Sequence, residues 1–188
     1  MVESFILQDV INDISICDNL IKFYQESSNK KPGTTAYKID ETIKKSTDID
    51  ITEIEFTTNK LIYPYLEYLN IIGNKYINKY KYADSNVPFG IIEQIKIQHY
   101  KPNEGYFGWH HERNASNLNG LLRHLVFMTY LNDVDDSGET EFYYQQLKIK
   151  PKKGLTLVWP AEWTHTHRGI TSPTQDKFII TGWFSYIT

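Results

Sequence analysis

The sequence predicts an α+β fold on three observations: a helical period in its first half, a strand period in its second, and an excess of aromatic side chains. From about Asn59 to Tyr82, the residues Leu61, Tyr65, Leu69, Ile72, Tyr76 and Tyr80 advance by 4, 4, 3, 4 and 4 positions, one stripe of an amphipathic helix. After Pro88 the period shortens. The runs IIEQIKIQHY, LLRHLVFMTYLND, TEFYYQQLKI, GLTLVW and DKFIITGWFSY are strand-like, with turn-forming stretches at Lys101–Gly105, Asp133–Gly138 and Pro151–Gly154. The 14 Tyr, 9 Phe and 4 Trp suit a β-rich core in which large rings fill the space between sheets. Helices first and strands after argue for helices bracing one face of an antiparallel sheet or sandwich.

Taken in order, Phe5, Leu7 and Val10 predict a short opening strand. Ser15 then stands as an N-cap with Asp18 as its N3 partner, ahead of the helical run CDNLIKFYQES. Ser27 to Ile51 is polar, and Lys30, Lys31, Pro32 and Gly33 mark a loop that wanders over the surface or covers a site. Pro64 kinks the second helix or marks its start. At 188 residues the chain suffices for one well-buried core and is short for two, so a single domain over 1–188 is expected.

Composition narrows the function classes. Hydrophobic and charged contents of 40% and 23% are those of an ordinary globular protein. A net charge of -3 leaves no electrostatic footprint for nucleic acid or an anionic membrane. Cys17 is the only cysteine, which excludes an intramolecular disulfide or a thiolate metal site and fits a reducing compartment. The first residues lack a basic segment and a sustained apolar run, and no stretch approaches the ~20 apolar residues of a spanning helix. The expectation is a cytoplasmic protein with no membrane or nucleic-acid partner.

The chemistry concentrates in YKPNEGYFGWHHE, Tyr100 to Glu112. On a strand His110 and Glu112 point to the same side, which selects His110 over His111. A third nitrogen must come from elsewhere in the fold, and His165 in VWPAEWTHTHRG is the chosen supplier, followed by Lys177 in KFIITGWF. Two histidines and a carboxylate form the facial triad of non-heme Fe(II) oxygenases, which leaves three positions open. A HxE triplet by itself is a common surface feature, so its surroundings decide.

Those surroundings run Tyr100, Gly105-Tyr106, His110-x-Glu112, Tyr130-Leu131-Asn132, Gly138-Glu139-Thr140-Glu141-Phe142, Gly154 to Pro160, His165, Lys177 and Gly182-Trp183-Phe184. In this order they resemble the prolyl 4-hydroxylase-like branch of the 2-oxoglutarate and Fe(II)-dependent dioxygenases, over about Gln98 to Phe184. The resemblance implies a double-stranded β-helix, or jelly roll, at 89–188, with 1–88 as mainly helical support. It implies His110, Glu112 and His165 as metal ligands, and Fe(II), 2-oxoglutarate and O2 as cofactors, with ascorbate supportive. It also implies Lys177 as the partner of the distal 2-oxoglutarate carboxylate, with Tyr100, Tyr130 and Thr140 close to the same group.

Two departures stand out. Glu112 replaces the family's usual Asp, and its extra methylene demands a slightly wider pocket. The gap from His165 to Lys177 is about two residues longer than usual, which suggests a wider turn around Thr171 to Gln175. Lys177 nevertheless shares its strand face with Ile179, Thr181 and Trp183, a setting natural for a lysine aimed into a pocket, where a buried carboxylate needs a cation. Arg168, in the HRG turn, is the competing cation and suits surface or substrate contact. Trp109, Trp159 and Trp183 read as wall and core.

The implied reaction is oxidative decarboxylation of 2-oxoglutarate to succinate coupled to hydroxylation of a substrate carbon. The protein's part is to hold ligands, leave positions open and exclude water. The expected substrate is a proline in a peptide or protein, the alternative a free amino acid or other small molecule. Ser27 to Asp50 and Asn114 to Gly120 flank the presumed mouth, and the first is long enough to act as a movable cover. A jelly-roll module that binds metal or sugar without turnover is the rival from another class, but it gives no reason for Lys177. A nucleic-acid demethylase is disfavoured by the charge balance.

Overall fold

A computed structural model describes residues 3–35, 38–84, 87–115 and 117–187. Residues 36 and 37, within the stretch read as a loop, and residue 116, within Asn114 to Gly120, lie outside the described residues. The first half supplies β1 (Leu7–Val10), α1 (Ser15–Glu26), β2 (Lys31–Pro32), β3 (Lys44–Lys45), β4 (Thr47–Ile51), α2 (Glu53–Thr58) and α3 (Tyr63–Lys79). The second half supplies β5 (Phe89–Gly90), β6 (Ile95–Tyr100), β7 (Gly105–Tyr106), α4 (Leu118–Leu122), β8 (Arg123–Tyr130) and β9 (Thr140–Phe142). It ends with β10 (Leu147–Ile149), β11 (Leu155–Pro160), β12 (His167–Gly169) and β13 (Lys177–Tyr186).

The main sheet runs β1-β11-β8-β13-β6-β4-β2, with β5 also on β13, and its pairings are antiparallel. A smaller sheet runs β10-β9-β12, and β3 pairs with β7. The result is a sheet-rich, jelly-roll-like body. Strand alternation gives the main sheet two faces. Along β8, Leu125 and Phe127 join the helix-side core with Leu20 and Tyr24 of α1 and Tyr65, Leu69, Ile72 and Tyr76 of α3. Val126, Met128 and Tyr130 join a second core with Phe142, Trp159, Ile179 and Trp183. Full burial of each such side chain contributes about 1.5–3 kcal/mol, so the helices hold one face while the other is left to build a cavity.

Several local readings change. Ser15 is the first helical residue and not the cap: Ile14 occupies the cap position, and Asp13 Oδ1 accepts from the Ser15 amide at 3.0 Å and from its hydroxyl at 2.6 Å. Ser27 to Ile51 is not one loop, because β4 pairs with β6 and buries Asp48, Ile49 and Ile51. Its polar TDIDI sequence hides the strand, since Asp48 is internal and ion-paired to Lys44 at 2.7 Å. α2 opens on a capping box between Thr52 and Glu55. Pro64 lies in the first turn of α3, where a missing amide costs nothing, and so marks the start of the helix. Among the described residues no helix is long and apolar enough to cross a membrane.

Candidate active site

The HxE segment is fixed to its neighbours by backbone hydrogen bonds. The His110 amide donates to the His167 carbonyl at 3.0 Å, and the His167 amide returns a bond to the His110 carbonyl at 2.8 Å. The Glu112 amide donates to the Ala161 carbonyl at 3.1 Å, just after β11. On its other side the segment is latched by the Ile43 carbonyl, which accepts from the amides of Phe107 and Gly108 at 2.7 and 3.2 Å.

Both imidazoles are oriented through their inner nitrogens. His110 Nδ1 lies 2.9 Å from the Gly108 carbonyl, and His167 Nδ1 lies 2.9 Å from the His165 carbonyl. A carbonyl can only accept, so each Nδ1 carries a proton, and the Nε2 atoms are the ones turned toward the cluster. Those Nε2 atoms stand 3.5 Å (His110) and 3.6 Å (His167) from Glu112 Oε1, and one ligand atom from each residue falls within 4.8 Å of the others. Tyr106 stacks on His110 with centroids 3.6 Å apart, and Trp159 meets His167 edge-on at 5.0 Å.

The second oxygen of Glu112 is held away from this point. Trp183 Nε1 donates to Oε2 at 3.1 Å, and Arg123 Nη1 stands 3.6 Å from it. Burial alone would raise the Glu112 pKa. The hydrogen bond from His110 and the fields of His110, His167 and Arg123 outweigh it and hold the carboxyl at about 2. Burial is also the main force on His167, aided by His110 and opposed by Glu112, and keeps its ring neutral with a pKa of about 3. A deprotonated carboxylate and two imidazole Nε2 atoms beside it make the donor set a divalent metal needs, the metal displacing any proton that an Nε2 carries.

The structure brings a different third histidine to this point. His165 is not brought into the cluster; His167 is. Residues Trp163–His165 form one 3-10 turn, which breaks the strand alternation before β12 begins at His167. The His165 ring is turned away, with Nε2 3.0 Å from the Ser4 carbonyl and Nδ1 3.0 Å from the Thr164 hydroxyl. The signal was present in the spacing. Lys177 follows His165 by twelve residues and His167 by ten, so the two surplus residues vanish once His167 is chosen, and no wider turn around Thr171 is required.

A cavity of about 930 Å³ extends from these three side chains to Tyr100, Tyr130, Thr140 and Lys177. Lys177, Ile179, Thr181 and Trp183 all line it, as strand alternation requires. Lys177 Nζ donates to the carbonyls of Gly138 and Ile170 at 3.0 and 3.1 Å and lies 5.2 Å from the centre of the Tyr100 ring. Burial lowers its pKa from 10.5 to about 8, with Glu139 pulling weakly the other way. The Tyr130 hydroxyl lies 2.6 Å from that of Thr140, while the Tyr100 hydroxyl donates to Gln98 Oε1 at 2.5 Å. Arg168 sits at the mouth, bonded to Glu141 at 2.8 Å and stacked 4.4 Å from the centre of the Trp109 ring.

Three further cations line the cavity wall without a mark in the sequence pattern: Lys44, Arg123 and Lys96, the last ion-paired to Asp50 at 2.7 Å. Lys44 is neutralised by Asp48, whose other oxygen accepts from Ser46 at 2.7 Å. Arg123, hidden in the strand-like run LLRHLV, grips Glu93 through two bonds of 2.9 and 2.7 Å and places its guanidinium over the Trp183 ring, 3.4 Å from the ring centre. It also donates to the Glu112 carbonyl at 3.0 Å. No periodicity argument reveals such a residue, because its partners are distant in sequence.

Residues 95–185 match the family model described as the 2OG-Fe(II) oxygenase superfamily. This stretch holds His110, Glu112, His167 and Lys177, and over it the chain is similar to that superfamily. Within it the chain resembles the prolyl 4-hydroxylase-like branch. A putative prolyl 4-hydroxylase of Acanthamoeba polyphaga mimivirus is 29% identical over 115 residues, 53% of this chain and 47% of that relative. The match thus spans about half the length of the curated relative.

Solved structures agree on the fold. A viral collagen prolyl hydroxylase of Paramecium Bursaria Chlorella virus-1, in its 2OG complex, superposes with a TM-score of 0.71 at 18% identity over 98% of this chain and 97% of that one. A Pseudomonas putida prolyl-4-hydroxylase gives 0.74 at 17% over 96% and 92%. A Trichoplax adhaerens prolyl hydroxylase, in complex with a hypoxia inducible factor peptide fragment, gives 0.72 at 17% over 95% and 83%. The superfamily implies Fe(II), 2-oxoglutarate and O2, and the His110, Glu112 and His167 donor set fits the first of these.

Proposed function

We propose that the protein is an Fe(II)- and 2-oxoglutarate-dependent dioxygenase that hydroxylates a prolyl residue in a peptide or protein. One observation carries this: two imidazole nitrogens and a carboxylate oxygen converge at one end of a cavity whose other end is a buried lysine with no carboxylate at ion-pair distance among the described residues. With 2-oxoglutarate and O2, the iron supplies an oxidation in which one oxygen atom enters succinate, the other enters a substrate C–H bond, and CO2 leaves. The chain's residues arrange this. His110, Glu112 and His167 occupy three metal positions and leave the rest facing the cavity. Lys177 gives the distal carboxylate its counter-charge, with Thr140 and the hydroxyls of Tyr100 and Tyr130 alongside.

In this reading the main and smaller sheets form a double-stranded β-helix in a single domain over 1–188, to which 1–88 contributes the supporting helices α1 to α3 and the strands β1 to β4. The prolyl substrate is inferred from the relatives, all described as prolyl hydroxylases, one of them with a peptide bound. A cavity of about 930 Å³ also exceeds what a metal and a five-carbon diacid fill. Thr34, Thr35, Ile43 and Lys44 border it, so part of the Ser27 to Asp50 stretch does flank the site. The test supplies proline-containing peptides and free proline separately, and follows 4-hydroxyproline by mass spectrometry alongside succinate. Coupled turnover of peptide is expected. Turnover of free proline alone overturns the substrate, and no succinate under any condition overturns the reaction class.

A further inference from the structure

Beyond the cavity mouth the surface carries an array of four large exposed rings. Trp109 is 39% exposed, and Tyr143, Tyr144 and Trp163 are each 58% exposed, a large apolar area to leave in water. The rings form a continuous line: Trp109 to Tyr143 at 5.2 Å, Tyr143 to Tyr144 at 5.2 Å, and Tyr144 to Trp163 at 5.7 Å. Trp109 is also a wall of the cavity, as is Arg168 stacked upon it, so the line begins where the cavity ends.

The array is held on a fixed frame. Tyr143 and Tyr144 sit in the hairpin between β9 and β10, and Trp163 in the turn before β12. The Tyr143 amide donates to the Thr166 carbonyl at 2.9 Å, and Gln145 Nε2 to the Thr164 carbonyl at 3.1 Å. The Thr166 hydroxyl closes the same turn on the Trp163 carbonyl at 2.6 Å. The hairpin and the turn, which carry three of the four rings, are thereby fixed to one another.

We infer that this aromatic line docks the segment of the substrate polypeptide next to the reacting proline, in an extended, proline-rich polyproline II conformation. The inference rests on the prolyl-peptide reading above and extends it outside the cavity. Successive rings stand at 87°, 77° and 83° to one another. Near-perpendicular neighbours make a row of notches that receive pyrrolidine rings, as aromatic-lined grooves do for proline-rich segments. A flat platform of coplanar rings, suited to sugar faces, is absent from this line. The steps of 5.2, 5.2 and 5.7 Å limit the path to about 16 Å. About five residues of polyproline II cover that length at a rise of ~3.1 Å per residue. The Arg168 guanidinium at the near end is a donor for the carbonyls that such a chain leaves without internal partners.

The test compares a fifteen-residue proline-rich peptide with a short one containing the same central proline, using the full chain loaded with Fe(II) and 2-oxoglutarate. Tyr144→Ala and Trp163→Ala are made singly, and neither residue lines the cavity. Each is expected to raise KM for the long peptide about fivefold, which is ~1 kcal/mol at 1.4 kcal/mol per decade, with kcat unchanged. KM for the short peptide and for 2-oxoglutarate should not move. Tryptophan fluorescence titrated with the long peptide reads docking without turnover, and should report weaker binding in Tyr144→Ala. Equal KM values for long and short peptides in the unaltered protein would overturn the inference, as would losses in both peptides alike. So would fluorescence binding of an oligosaccharide in preference to the peptide. Docking of the long peptide without any hydroxylation would instead sink the proposed activity and leave the docking surface standing.

Discussion

At the histidine end of the cavity the Glu112 carboxylate lies among two imidazoles, an indole N–H at 3.1 Å and the Arg123 guanidinium at 3.6 Å, whereas at the far end Lys177 meets two carbonyls and an aromatic ring, with no carboxylate at ion-pair distance among the described residues. The first end is internally balanced, with a carboxyl held at a pKa of about 2. The second carries a buried cation that burial drives down to about 8. Burying a charge without an opposite one is costly, so the lysine end gains most from an anionic guest. The metal end is preorganised by hydrogen bonds, and the co-substrate end by an electrostatic deficit. The two should therefore fail differently when altered.

The largest effect is expected from His167→Ala. Loss of an outer hydrogen-bond partner of a ligand costs 10–100-fold in metal affinity, so loss of the ligand itself should exceed about 100-fold. Titration with Fe(II) under anaerobic conditions, or with Mn(II) by electron paramagnetic resonance, reads this directly. The apo protein should remain folded, because the mutual backbone bonds between His110 and His167 do not involve the side chain. Undiminished metal affinity would break the comparison at its first end.

Next comes Lys177→Met, which keeps the length of the side chain and removes its charge. Metal binding should persist, while 2-oxoglutarate binding weakens by about 2–5 kcal/mol, the range for truncating one side of a buried charge pair. The same lysine sets a pH dependence. Its folded pKa of about 8 lies below the ordinary 10.5, so the free protein loses this proton as pH rises through 8 and co-substrate affinity falls above that point. Between 8 and 10.5 the unfolded chain binds the proton that the folded chain has lost, so the lysine's contribution makes stability rise with pH across that window. Both trends should disappear in Lys177→Met, measured as 2-oxoglutarate affinity and as urea midpoints at pH 7.5 and 9.5. If Arg168→Met weakens co-substrate binding and Lys177→Met does not, the cation is misassigned.

A smaller effect is expected for Glu112→Asp. Charge and ligand type survive, so metal stays bound and activity falls only in part. The shorter side chain draws its second oxygen away from Trp183 Nε1, now 3.1 Å distant, and hydrogen bonds to charged groups contribute about 1.5–3 kcal/mol. Trp183→Phe removes the same bond from the other side. A double-mutant cycle on metal affinity should show the two losses to be far from additive; strict additivity would mean that the indole does not position the carboxylate.

The two ends also differ in how far the sequence disclosed them. Lys177 was legible because strand alternation extends through KFIITGWF without interruption, and the structure keeps that register through β13 against β6 and β8. His110 and Glu112 were legible for a related reason, although they reach the cavity from a chain held by single bridges and not from a full strand. The third histidine was not, because His165 and His167 share the same parity and alternation cannot separate them. What separates them is a 3-10 turn ending at His165, a local event with no strong sequence mark. Strand β4 was hidden by its charges, since Asp48 and Lys44 bury each other and a polar run then passes for a loop. Arg123 and Glu93 lie 30 residues apart, and such pairs become visible only once the chain is folded.

The smallest effect is expected from His165→Ala, and it decides the choice between the two histidines. His165 is buried, but its Nε2 is committed to the Ser4 carbonyl at 3.0 Å and its backbone carbonyl, not its ring, touches the site by orienting His167 Nδ1 at 2.9 Å. Alanine keeps that carbonyl. Metal and 2-oxoglutarate affinities should therefore match the unaltered protein. The two lost side-chain hydrogen bonds, to Ser4 and Thr164, are worth about 0.5–1.5 kcal/mol each, which for a chain of this size lowers the melting temperature by roughly 2–4 °C per kcal/mol. Differential scanning calorimetry and a metal titration on the same sample separate the two readouts. A variant that melts normally but no longer binds metal would return His165 to the ligand set and remove His167 from it.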